Sequence, residues 1–205
     1  KIVELLYSET GFFFDIHIAS DYEGIIDALS SDPPKVHMSS LPTFTYILAA
    51  DRGIVEAALV AVRFGRASYN GQLIVHSGSG IRKIEHLEGR TFARPDPLST
   101  SGWLIPMLTM RAEGLNPEQD LAAIVDMGSH EAVVKAVYNR EVDAGSTYVD
   151  ARDRLLADCP DVKNTVVVMD TTQNIPNEGI QFVPSMLKEM KDKIVDAILA
   201  IAETD

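Results

Sequence analysis

Hydrophobic and polar positions along the 205-residue chain change period repeatedly, from the spacing of a helix to the alternation of a strand. The opening run Ile2-Val3-Glu4-Leu5-Leu6-Tyr7 has helical spacing, 12–19 is β-rich, and Asp21 is placed to cap a helix over 22–29. Pro33-Pro34 breaks the chain before a short strand at 36–39. Pro42 opens a helix that runs through Asp51 and ends at Gly53. Segments 55–64 and 72–76 read as strands, with Tyr69-Asn70-Gly71 a turn signal between them. Beyond the Ser/Gly-rich step at 77–80 the rhythm is strand 90–93, helix 102–112, strand 122–127, helix 129–138, strand 142–147 and helix 148–156. A continuous apolar strand, 165–169, precedes an irregular 170–179. A strand at 180–183 and an amphipathic helix over 186–202 complete the chain.

Alternating β and α units imply an α/β fold of mostly parallel sheet with helices on both faces, and such sheets bind ligands beyond the carboxyl ends of their strands. One loop at such an end stands out: Asp96-Pro97-Leu98-Ser99-Thr100-Ser101-Gly102 follows the strand 90–93 and opens a helix. The first N–H groups of a helix lack partners and carry the positive end of its dipole, so three hydroxyls there can serve as an ordinary cap or as an oxyanion site. Met127-Gly128-Ser129-His130 repeats the arrangement, with His130 either facing solvent or turned towards the same anion. Two helix starts after strands of one sheet favour the anion reading. Tyr22 and Tyr69 suit core or gate positions, and Asp150 and Glu178 are either solvated carboxylates or partners for an amine.

Composition narrows the class. A hydrophobic content of 46% and a charged content of 23% are those of a globular protein, large enough for one domain or two small ones. No apolar run approaches the roughly 20 residues that a membrane helix needs. A net charge of −12 argues against a nucleic-acid partner, because phosphate backbones are bound through Lys and Arg clusters. It leaves a small anion possible, since helix-end dipoles act locally while distant carboxylates are screened within about 8–10 Å. Cys159 is the single cysteine, so neither an internal disulfide nor a cysteine metal cluster is expected. The chain opens at Lys1 without initiator Met, signal peptide or lipid-anchor cysteine, which leaves its location unread from that end. Ser99–Ser101 with His130 resemble a nucleophile and base, but no Gly-x-Ser-x-Gly elbow and no His/Glu cluster of metal-ligand spacing accompany them. The chain is therefore expected to be no enzyme, with no catalytic residue, no metal and no cofactor.

Five runs together carry a family resemblance: Leu87-Glu88-Gly89-Arg90-Thr91-Phe92-Ala93, Asp96-Pro97-Leu98-Ser99-Thr100-Ser101-Gly102, Gly128-Ser129-His130-Glu131-Ala132-Val133, Val142-Asp143-Ala144-Gly145 and Ile175-Pro176-Asn177-Glu178. In order and spacing they resemble the periplasmic phosphate/phosphite/phosphonate-binding proteins of ABC importers, the PhnD-like family. The resemblance implies a type II periplasmic-binding fold of two α/β lobes, here 1–75 with 172–205 and 76–171, crossing over near 76–79 and 170–174, with a ligand cleft between them. It implies that Ser99, Thr100, Ser101 and His130 grip the oxyanion and that Tyr22 and Tyr69 line the cleft. Asp150 and Glu178 fall where aminoalkylphosphonate binders place carboxylates for the amine. The family's opening strand has no counterpart before Lys1, Glu131 stands where the family has Asp, and Glu178-Gly179 where it has Asp-Pro. The implied role is a monomeric, periplasmic or extracytoplasmic receptor, with or without a lipid anchor, that delivers a small oxyanion to an ABC permease. A ligand-sensing domain of a signalling protein is the alternative within the same fold.

Overall fold

The first apolar run forms helix α1 (Ile2–Thr10), which Gly11 closes in the left-handed conformation (φ 72°) by donating to the Tyr7 carbonyl at 2.7 Å. The structure, a computed structural model, describes residues 1–203. Helix α2 (Tyr22–Ser30) starts where expected, because the Asp21 carboxylate accepts the Gly24 N–H at 2.7 Å. The chain continues through β1 (Met38–Ser39), α3 (Thr43–Asp51), β2 (Glu56–Val60), β3 (Ser68–His76) and β4 (Thr91–Arg94). A π-helical turn, Thr100–Leu104, leads into α4 (Ile105–Ala112), followed by α5 (Pro117–Asp120), β5 (Ala123–Asp126), α6 (His130–Tyr138) and β6 (Ala144–Tyr148). A 3-10 turn at Ala151–Leu155, α7 (Val162–Thr165), β7 (Val166–Pro176), β8 (Gly179–Phe182) and α8 (Lys188–Ala202) complete it.

Four expectations change. Segment 12–19 forms no regular element and belongs to neither sheet, and Phe13 and Ile18 are 90% and 87% exposed. Its β propensity has no pairing partner among the described residues, and propensity alone does not make a strand. Tyr69-Asn70-Gly71 is no turn: β3 runs through it with a register shift between Asn70 and Gln72, paired with β7 from Ser68↔Pro176 to His76↔Val166. That pairing also orders 170–176, which the sequence left irregular. The expected helix over 148–156 begins later, after Asp150 turns the chain at φ 57°.

The chain forms two compact units. The first comprises 1–41, 46–61 and 178–205, and its sheet has the order β1-β8-β2, with both pairings antiparallel. The second comprises 42–45 and 62–177, with a sheet of order β5-β4-β6-β3-β7. There β4 pairs in parallel with β5 and β6, while β3 runs antiparallel to β6 and β7. The mostly parallel sheet expected in each unit is thus a mixed one in the second and an antiparallel one in the first. The parallel strands β4, β5 and β6 are the ones connected through α4 and α6, the helical crossovers that parallel strands require. The units change over at 61/62 and 177/178, not at 75 and 172, because β3 and β7 are each continuous within one sheet.

Side chains alternate across the second unit's sheet. Leu73, Val75 and Phe92 pack with Trp103 and Met110 on one face, and Ile74 and Ala93 pack with Val133, Val134 and Val137 on the other. In the first unit Leu29, Leu41, Ala49, Val55 and Val183 form a separate core. Leu73 is fully buried on β3, between β6 and β7. We expect Leu73→Ala to lower unfolding free energy by about 2–5 kcal/mol in urea denaturation, through lost burial and a residual cavity.

Candidate functional site

Parallel pairing places the carboxyl ends of β4, β5 and β6 along one edge of the second unit's sheet. Because β3 is reversed, its first residues lie on that edge too, with Gly71 opposite Tyr148. The edge therefore gathers Tyr69, the loop carrying Ser99, Thr100 and Ser101, the start of α6 with His130, and Asp150.

The three hydroxyl residues of the loop are only 2%, 4% and 3% exposed. A helix that starts in the interior must find acceptors for its first N–H groups within the protein. Ser99 supplies them: its Oγ accepts the Gly102 N–H at 3.1 Å, and its carbonyl accepts those of Trp103 and Leu104 at 3.0 and 2.9 Å. Thr100 Oγ1 accepts the Phe44 N–H at 2.9 Å. Each hydroxyl that accepts a bond still has its own proton to donate. Two glycines make the geometry possible. A Cβ on Gly102 would lie 2.3 Å from Pro95 Cγ, and one on Gly71 would lie 2.8 Å from the Ser101 carbonyl oxygen. Gly71 is thus required for close approach of the Ser101 backbone, which explains why an Asn-Gly pair stands inside a strand.

The second helix start is bonded to the first. Met127 N–H donates to the Arg94 carbonyl and Gly128 N–H to the Pro95 carbonyl, both at 2.9 Å, so the loops leaving β4 and β5 run as a pair. Ser129 then caps α6 by accepting the Ala132 N–H at 3.1 Å. His130 Nδ1 lies 2.9 Å from Thr147 Oγ1 and 3.4 Å from the Tyr148 N–H, and its ring packs edge-on against Tyr148 at 4.7 Å between centroids. A backbone N–H can only donate, so Nδ1 is the acceptor and Nε2 carries the proton. Burial pushes the imidazole down from about 6.5 to about 4, with Glu131 pulling the other way. The site thus contains a neutral histidine whose Nε2 carries the proton, on the same sheet edge as the hydroxyl loop. Such a set can bind a tetrahedral oxyanion.

Comparison with known proteins decides the family. Residues 1–205 match the family described as the phosphonate-binding periplasmic substrate-binding protein of ABC transporters. The chain belongs to this family. It is 30% identical over 192 residues to the phosphonates-binding periplasmic protein of Escherichia coli K12, covering 91% of this chain and 56% of that protein. It is 26% identical over 172 residues to the phosphate-import protein PhnD of Mycolicibacterium smegmatis, covering 79% and 53%. The crystal structure of a binding protein component of an ABC phosphonate transporter from Pseudomonas aeruginosa superposes with a TM-score of 0.86 at 25% identity, covering 95% of this chain and 66% of that one. The chain thus spans about half the length of the curated relatives it matches.

The remaining residues implied by the family divide between the units. Tyr69, half-buried, sits at the start of β3 opposite Ile175. Tyr22 is the first residue of α2, and Glu178 immediately precedes β8, its carbonyl accepting the Ala61 N–H at 2.9 Å; both belong to the first unit. Asp150 is engaged: its carboxylate accepts from Arg152 at 3.0 Å. Sequence reasoning missed Arg152, as well as the part that Gly71 and the Phe44 N–H play in shaping the loop. Among the described residues no group of His, Cys, Asp and Glu is arranged to hold a metal ion.

Two predictions follow from this geometry. Gly145 lies on β6 beneath α6, and a Cβ there would be 2.6 Å from Val133 Cγ1, so Gly145→Ala should push α6 off the sheet. The expected cost is about 1–3 kcal/mol in thermal or urea unfolding, because a packed interface cannot absorb the extra carbon. For His130, the folded pKa of about 4 lies below the unfolded 6.5, so the unfolded chain binds more protons between them. The stability contributed is full above 6.5 and is lost as pH falls towards 4. His130→Asn should lose less stability than wild type over that interval in parallel denaturation curves; identical pH slopes would refute the assignment.

Proposed function

We propose that this chain is the solute-binding component of an ABC importer, capturing a phosphonate, phosphite or phosphate-type oxyanion through Ser99, Thr100, Ser101 and His130. The observation that carries this reading is the pair of bonds joining the two helix starts, Met127 to Arg94 and Gly128 to Pro95. They bring three buried hydroxyls and a neutral N–H donor to one edge of the sheet, in a family of phosphonate-binding proteins. Helix-end dipoles, hydroxyl protons and the Nε2 proton all favour negative charge there. Tyr69 contributes from the same edge, while Tyr22 and Glu178 are assigned to the ligand by family resemblance. The two compact units stand for the family's two lobes. The protein works in the periplasm or outside the cytoplasmic membrane, as a monomer that hands its ligand to a membrane permease.

Titration calorimetry with methylphosphonate, phosphate and sulfate tests the assignment. Each hydroxyl bond to a charged oxygen is worth about 1.5–3 kcal/mol, so Ser99→Ala and Thr100→Ala should each lower affinity for the preferred phosphorus oxyanion at least about tenfold. Because Ser99 also caps the helix, its variant should melt at lower temperature through a loss of about 1 kcal/mol. Unchanged affinity in the double variant would refute the site.

A further inference from the structure

The family resemblance hands Asp150 to a ligand amine, but the structure has already given its charge a partner. Arg152 is 11% exposed, one guanidinium nitrogen donates to the Val166 carbonyl at 3.0 Å, and a second donates to Asp150 Oδ1 at 3.0 Å. Its Nε is enclosed without an acceptor, so the group is anchored in the protein and does not turn out to water. A largely buried cation depends on its counter-ion, and Asp150 is the carboxylate it touches. Asp150 is itself held: its backbone is left-handed at φ 57°, and its N–H donates to Gln72 Oε1 at 3.2 Å. A ligand ammonium brought to this carboxylate would have to share it with a fixed guanidinium of the same charge.

We infer that Arg152 determines ligand specificity by neutralising Asp150, so that this protein takes an amine-free oxyanion such as an alkylphosphonate, phosphite or phosphate and discriminates against aminoalkylphosphonates. The inference rests on the oxyanion-binding reading above and refines it. In a relative without an arginine so placed, the same carboxylate would be free to bind an amine. The effect is electrostatic and local: Asp150 follows β6 on the edge that also carries the hydroxyl loop, and the guanidinium that pairs with it is tied back to Val166 at the start of β7.

Calorimetric titration of wild type, Asp150→Asn and Arg152→Met with methylphosphonate, 2-aminoethylphosphonate and phosphate tests it. Asparagine tolerates the left-handed backbone, and methionine keeps much of the arginine stem's volume. Wild type should bind the aminophosphonate no more tightly than methylphosphonate, and Asp150→Asn should leave their affinity ratio within about twofold, since a charge-assisted bond to an amine is not being lost. Arg152→Met frees the carboxylate and should shift the ratio towards the aminophosphonate by about tenfold or more. A merely structural arginine would weaken both ligands together. Wild type that prefers the aminophosphonate, or a folded Arg152→Met with an unchanged ratio, overturns the inference. Should Arg152→Met not fold, wild type and Asp150→Asn decide it. A wild-type chain that binds none of the three probes is a different failure, that of the functional reading itself.

Discussion

The arrangement at the candidate site depends on a helix that begins inside the protein. The N–H groups of Gly102, Trp103 and Leu104 start where water is scarce, and Ser99 satisfies them with its hydroxyl and its carbonyl. The consequences spread outward from that requirement. Pro95 must pass over Gly102 at a distance that admits no Cβ, and the Ser101 carbonyl must lie against a glycine in β3. The loop after β5 is bonded to the same Pro95, which brings His130 to the edge that carries the hydroxyls. A substitution at any of these positions therefore acts on the loop as a whole.

The electrostatics of the edge are compatible with the proposal that an acidic chain holds an anion there. A net charge of −12 describes the whole surface, and salt water screens most of it. What this edge presents is a set of dipoles: helix N-termini, hydroxyl protons and a histidine kept neutral by burial. Neutral donors held in place bind an oxyanion without drawing in every counter-ion, and they need little rearrangement when it arrives. Asp126 is taken up by Arg94, whose guanidinium also stacks on Trp103 at 4.5 Å, so this carboxylate too carries its own counter-charge.

Much of this was legible in the sequence because it is local. Asp21, Ser99 and Ser129 each cap a helix by bonding a backbone N–H three residues on, and such bonds depend only on nearby residues. The alternation of strand and helix from 90 to 147 likewise appeared in the structure with shifts of a few residues, since α4 and α6 bury one face of their own periodicity against the strands they connect. The run of hydroxyls and the Gly-Ser-His sequence marked the two capped helix starts for the same reason.

Strand pairing was decided by tertiary structure, because its partners are distant in sequence. Segment 12–19 has strong β propensity yet remains outside both sheets, whereas the unpromising 170–176 is a strand because β3 lies beside it. The same distant pairing turned an apparent Asn-Gly turn into the close approach that seats Ser101. Asp150 shows the point for charge: the sequence determined that a carboxylate stands there, but burial of Arg152 against Val166 decided where that carboxylate's charge is spent. Caps and periodicity are set by neighbours within a turn or two of helix. Register, close backbone contacts and the pairing of buried charges are set only when remote segments meet.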